Sequence, residues 1–256
     1  MTAENSTSLP KRDLIPLLGS LGALVVLCWL YLIDMSRGMV GMSGAMDIRP
    51  WSNIDFLLMF GMWVVMMVGM MVPTAVRTVL IFARIGASAA TRGRTFVSAY
   101  WFMAGYVLIW TLFSAVATIL QWVLDQAALL SPMMVSTSSV LGALMLISAG
   151  IWQFSPVKDT CLRHCRSPAM YLATHFRPGI SGALILGVRH GVYCLGCCWL
   201  LMGLLFVGGV MNLIWIAAIT AFVLIEKLLP DALRASRLTG WVMIVAGVGY
   251  LASGLA

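Results

Sequence analysis

The sequence predicts an all-α fold: a polytopic transmembrane helical bundle of about seven spans, with the N-terminus cytoplasmic and the C-terminus extracytoplasmic. Three observations predict it. Of 256 residues, 61% are hydrophobic and only 10% charged, with a mean hydropathy of +0.98, whereas soluble domains carry about 25% charged residues. Too few charges remain to coat a water-facing surface. The apolar runs are close to the ~20 residues a helix needs to cross a hydrocarbon core of about 30 Å, and they lack the period-two alternation of barrel strands. The basic residues are distributed unevenly about those runs.

In chain order the runs fall at 14–33, 56–76, 96–120, 136–154, 190–209, 211–228 and 238–255. Residues 1–13 are a short lead, and 14–256 form a single transmembrane domain. The fifth and sixth runs are nearly continuous and divide at Gly208-Gly209 and Asn212. Pro73, at the inner end of the second run, is placed to kink it. Of the sixteen Lys and Arg residues, all but Arg37 and Arg49 fall in the segments on one side of this arrangement. Basic loops mark the cytoplasmic side, so the net charge of +7 reads as an orientation signal and calls for no nucleic-acid partner. Glu226 and Lys227 close the sixth run beside Pro230-Asp231 and read as helix-end residues snorkelling to the interface. The longest non-spanning stretch, about 155–189, is cytoplasmic and rich in Cys, His and Arg. Its apolar part, 180–188, reads as a re-entrant or interfacial piece.

The chain has six cysteines and three histidines. Cys28 stands alone in the first run and reads as a buried, inert thiol. The other five cysteines and all the histidines fall between Cys161 and Cys198. The cytoplasmic stretch reads Cys161-Leu-Arg-His164-Cys165-Arg. The fifth run opens His190-Gly-Val-Tyr-Cys194-Leu-Gly-Cys197-Cys198-Trp199, with Met202 following. Residues four apart share a helix face, so His190, Cys194, Cys198 and Met202 form one stripe with Cys197 beside it. If the cytoplasmic stretch folds back, Cys161, His164 and Cys165 meet that stripe.

Thiolate, thioether and imidazole donors suit Cu(I) or Zn, and paired cysteines at short spacing are also a zinc pattern. The same thiols would serve disulfide exchange or plain packing. Methionine favours copper. The chain has 19 methionines, and four of them, Met35, Met39, Met42 and Met46, recur at steps of four, three and four in a Gly/Ser-rich outer loop where packing does not explain them. A thioether binds Cu(I) without deprotonation. In the second run Met62, Met66 and Met70 share one face, with Met59 a step earlier, although Met is also a flexible core filler. Outer loop, second run and inner thiols together form a soft-ligand trail.

The expected function is Cu(I) handling: transport, or delivery to a membrane copper enzyme. The alternatives are a membrane thiol–disulfide oxidoreductase and a zinc-containing accessory subunit of a larger complex. No phosphate-binding Gly loop, nucleophile elbow, His-Glu-x-x-His helix or catalytic carboxylate pair is present, so an enzyme is the weaker expectation. The expected partners are the bilayer, a metal ion and another membrane protein or copper-enzyme subunit.

These residues also carry a resemblance. The run Met62-Trp63-Val-Val-Met66-Met67-Val-Gly-Met70-Met71-Val-Pro73, the segment Gln153-Phe-Ser-Pro156-Val-Lys158-Asp-Thr-Cys161-Leu-Arg-His-Cys165-Arg166-Ser-Pro168, the stretch Gly191-Val-Tyr-Cys194-Leu-Gly196-Cys197-Cys198-Trp199-Leu-Leu-Met202, and Glu226-Lys227 resemble a bacterial family of predicted metal-binding integral membrane proteins of unknown function. The resemblance covers roughly residues 35–250. It implies a multi-pass protein of the bacterial inner membrane whose cysteines bind metal, and it supplies no reaction. The preference for copper comes from the ligand argument.

Overall fold

A computed structural model describes residues 11–42, 51–91, 93, 98–130, 138–228 and 232–255. These residues are almost entirely helical, with no strand among them. The elements are α1 (Lys11–Met42), α2 (Asn53–Ala90), α3 (Ala99–Gln126), α4 (Ser139–Trp152), α5 (Pro156–Arg166), α6 (Pro168–His175), α7 (Ile180–Gly203), α8 (Leu205–Gly208), α9 (Leu213–Leu228) and α10 (Ala232–Leu255).

Helix starts are written in the sequence. Ser52 and Asp55 form a capping box on α2. Ser98, Ser138 and Ser155 cap α3, α4 and α5 with their side chains, and Pro156 and Pro168 occupy first turns, where a missing N–H costs nothing. The expected division between the fifth and sixth runs is present. Gly209 takes φ +96°, and the Asn212 side chain accepts from Trp215 N at 3.2 Å to begin α9.

Five helices are long and apolar enough to cross a membrane: Arg12–Gly38, Asn53–Ala90, Ala99–Gln126, Ile180–Gly208 and Arg234–Ser253. A sixth is obtained if α4 and α5, which bend by 66° at Gln153–Ser155, form one broken span. α9, with 16 residues, is about 24 Å long and falls short of the ~30 Å core. The seven apolar runs thus correspond to five or six helices of spanning length.

Four expectations need correction. First, α2 does not end or break near Pro73; it continues to Ala90 over 38 residues, about 57 Å. The proline ring removes one N–H, and the Gly69 carbonyl that would have accepted it receives Trp29 Nε1 instead, at 3.4 Å. Second, residues 180–188 are no separate re-entrant piece but the first turns of α7. They are held against α3, where a Cβ on Gly187 would collide with the Phe102 carbonyl and one on Gly105 would sit 2.9 Å from Val188 N. Third, the stretch at 155–189 is no loop: it folds into α5, α6 and the start of α7. Fourth, α1 runs on to Met42, which puts Met35, Met39 and Met42 on a helix; unbranched Met favours helix, and single glycines do not stop one. Met46 lies outside the described residues.

The packing has a simple order. α2 is central and touches α1, α3, α6 and α9; α3 packs on α7, α5 folds back onto α7, and α4 pairs with α10. The faces left over are apolar and exposed, as at Leu27, Leu112, Val116 and Val245, which is the side-chain chemistry of a lipid-facing surface.

Candidate metal centre

The site begins with the α7 stripe. His190, Cys194, Cys198 and Met202 all point inward and are buried, with Cys197 buried beside them. The thiols of Cys197 and Cys198 donate to the Cys194 carbonyl at 3.0 and 2.9 Å, the usual fate of a small donor on an apolar helix. α5 then folds back, as the spacing suggested. Its buried Cys165 lies beside Cys194 and Cys197. Cys161 sits one turn earlier, half-buried, with its sulfur against the Gly196 backbone; a Cβ there would lie 2.8 Å from it.

Cys194 is the hub. Cys165, Cys197 and Cys198 surround it, the last two bonded to its carbonyl. From α3, the Tyr106 hydroxyl lies 3.1 Å from the Cys194 sulfur and donates to the Met71 carbonyl at 3.0 Å. From α9, Lys227 Nζ donates to Cys194 Sγ at 2.9 Å and to Thr74 Oγ1 at 3.1 Å. Lys227 is only 5% exposed, so the snorkelling expectation is wrong. The reason is that α9 sits inside the bundle against α2, which turns its basic end toward the thiols. Glu226 points to another place. It receives Lys158 Nζ at 2.7 and 3.0 Å and the Ser236 hydroxyl, while Lys158 also donates to Gln153 Oε1. This second buried network ties α4, α5, α9 and α10 together, away from the sulfurs.

The remaining candidates are spread around this hub. His190 is one turn before Cys194, its ring centroid 5.7 Å from Tyr106 and 5.8 Å from Phe102. His164 is not gathered with the thiols. It stacks on Tyr193 at 4.2 Å, and its Nδ1 bonds the Thr160 carbonyl at 2.9 Å. Met62, Met66 and Met70 are fully buried with Met67 and Met71 along the core side of α2. Met59 Sδ accepts from Gln121 Nε2 at 3.7 Å. Met35 is half-buried against the core. The α2 methionines descend to the hub, because Met71 and Thr74 are themselves part of it.

Sequence reading missed Tyr106 and Thr74 altogether and misjudged Lys227. The available signal was a tyrosine and a lysine inside apolar helices, where each polar tip must find a partner. Among the described residues, no group of three or more His, Cys, Asp or Glu side chains is already set to hold a metal ion. The Cys197 and Cys198 thiols are spent on the Cys194 carbonyl, and binding would need thiol rotations with loss of protons. The donor set itself is soft, buried and beside a fixed positive charge, which suits a monovalent soft cation held by thiolates.

A family model described as "PpoB2: Copper chaperone" matches residues 60–250. That range includes the five cysteines from Cys161 to Cys198, Tyr106, Lys227 and the α2 methionines from Met62 to Met71, and it excludes Cys28, Met59 and Met35 to Met46. No curated protein and no solved structure matches the chain.

Proposed function

The chain belongs to the PpoB2 copper chaperone family, and from that premise we propose that it is a membrane-embedded Cu(I) chaperone whose cargo rests on Cys194 and one or two of Cys165, Cys197 and Cys198. The observation that supports this most is the buried ammonium of Lys227 on the Cys194 sulfur, with Cys165, Cys197 and Cys198 buried around it. Cu(I) on two thiolates carries a net charge of −1. Lys227 would balance it: at 4 Å and an effective dielectric near 20, opposite unit charges attract by about 4 kcal/mol, the same order as the several kcal/mol lost in burying such a charge.

Cys161, His190 and Met202 would be auxiliary donors close to the hub, and His164 a peripheral one. Met62, Met66 and Met70 would offer weak thioether sites in series toward it, and Met35, Met39, Met42 and Met46 would take up copper at the opposite end. In the orientation read from the basic residues, the hub lies toward the cytoplasmic side of a bacterial inner membrane, and delivery is to a membrane copper enzyme.

The test is elemental analysis of protein purified without oxygen, wild type beside Cys194→Ser/Cys198→Ser. Stoichiometric copper in the wild type, lost in the variant, is expected; copper retained at unchanged stoichiometry would sink the site. Thiols in contact also suit disulfide exchange. That reading predicts no bound metal and an alkylation pattern that changes with redox poise, while zinc in place of copper would point to a structural centre.

A further inference from the structure

The hub is buried, and residues next to it along three helices line a cleft at the surface. An open cleft of about 490 Å³ is lined by Arg77 of α2, Arg163 and Arg166 of α5, Ser167, and Leu228 at the end of α9. Three of its lining residues lie one to three positions along the chain from hub residues. Arg77 follows Thr74 by three residues on α2, Arg166 follows Cys165, and Leu228 follows Lys227. The volume falls within the ~300–1,000 Å³ of small-molecule sites. Three guanidiniums drawn from two separate helices face one space, and such groups recognise carboxylates through paired hydrogen bonds.

We propose that this cleft binds a small carboxylate-bearing thiol that carries Cu(I), and that copper passes between this carrier and the hub by thiolate exchange. The inference rests on the copper reading above and adds the identity of the donor. A cation destined for buried sulfur must arrive on a ligand, and a ligand with both a soft donor and carboxylates fits both halves of the path: carboxylates at the arginines, sulfur toward Cys165. A phosphate headgroup satisfies only the arginines. In the exchange copper stays Cu(I). One carrier Cu–S bond breaks as a Cu–S bond to Cys165 forms, and the proton of the Cys165 thiol goes to the departing carrier thiolate. No oxidant or reductant is needed.

The experiment uses the full chain in phosphatidylcholine nanodiscs under anaerobic conditions. It measures the rate of copper transfer from Cu(I)–glutathione and from Cu(I)–2-mercaptoethanol, whose ligand has no carboxylate. The readout is the ratio of the two rates. Arg163→Gln/Arg166→Gln is expected to lower that ratio by about tenfold, and Arg77→Gln, on a different helix, to lower it in the same direction. A ratio unchanged in both variants overturns the cleft as a carrier site and leaves the copper reading intact. Wild-type protein that takes copper from neither donor overturns the copper reading itself. If phosphatidylglycerol in the nanodisc lowers the wild-type ratio to that of the variants, the cleft belongs to a lipid headgroup and the carrier assignment falls.

Discussion

In the proposed site Lys227 is expected to count for more than any one of Cys165, Cys197 and Cys198, because those three thiols can substitute for one another and, among the described residues, no second ammonium reaches Cys194. Lys227→Met keeps length and apolar volume while removing the charge. Copper affinity is expected to fall by about 10- to 100-fold, as for other groups that support metal ligands from behind; competition against a chromophoric Cu(I) chelator measures it, and unchanged affinity would refute the counter-charge role. Tyr106→Phe removes one bond to sulfur and leaves the packing, so a smaller loss is expected, no more than about tenfold. The cysteines were legible in the sequence because helical spacing alone sets His190, Cys194, Cys198 and Met202 on one face. Tyr106 and Lys227 were not legible. They reach Cys194 from 88 and 33 residues away, and no local pattern encodes which distant side chain fills the space above a thiol.

At the scale of elements, the long apolar helices were readable from hydropathy; their ends, and α5 and α6, were not. A hydropathy window registers the part of a helix that suits lipid; it does not register a helix that continues because other protein covers it. The C-terminal third of α2 is such a case, since Phe82 stacks on Phe102 at 5.0 Å and packs against Phe176 at 5.9 Å. The start of α7 is another, held by its close approach to α3 at Gly105 and Gly187. That contact also fixes the distance between Tyr106 and Cys194. Gly187→Val is therefore expected to lower stability by about 1–3 kcal/mol, the usual range for overpacking, and to weaken copper binding in the same variant. A thermal midpoint measured with the affinity decides it, and a loss of stability with full affinity would show that α3 does not position the site.

For the whole molecule, the buried Lys158–Glu226 pair is the tether between α5 and α9, and Ser236 brings in α10. Glu226→Gln leaves a buried ammonium without its partner, which typically costs about 3–5 kcal/mol. Unfolding in detergent should show that loss, and Lys158→Met/Glu226→Met should recover most of it. Recovery that fails would mean the pair does more than satisfy its own charges. The adjacency of Glu226 and Lys227 has a mechanical consequence. Neighbouring residues on a helix point about 100° apart, so α9 works as a crankshaft with one throw on Cys194 and the other on Lys158. Any turn of α9 that draws Lys227 off Cys194 must also strain the tether to α5 and α10. On the copper reading, release of cargo is thereby geared to the seating of α10, which supplies none of the proposed ligands.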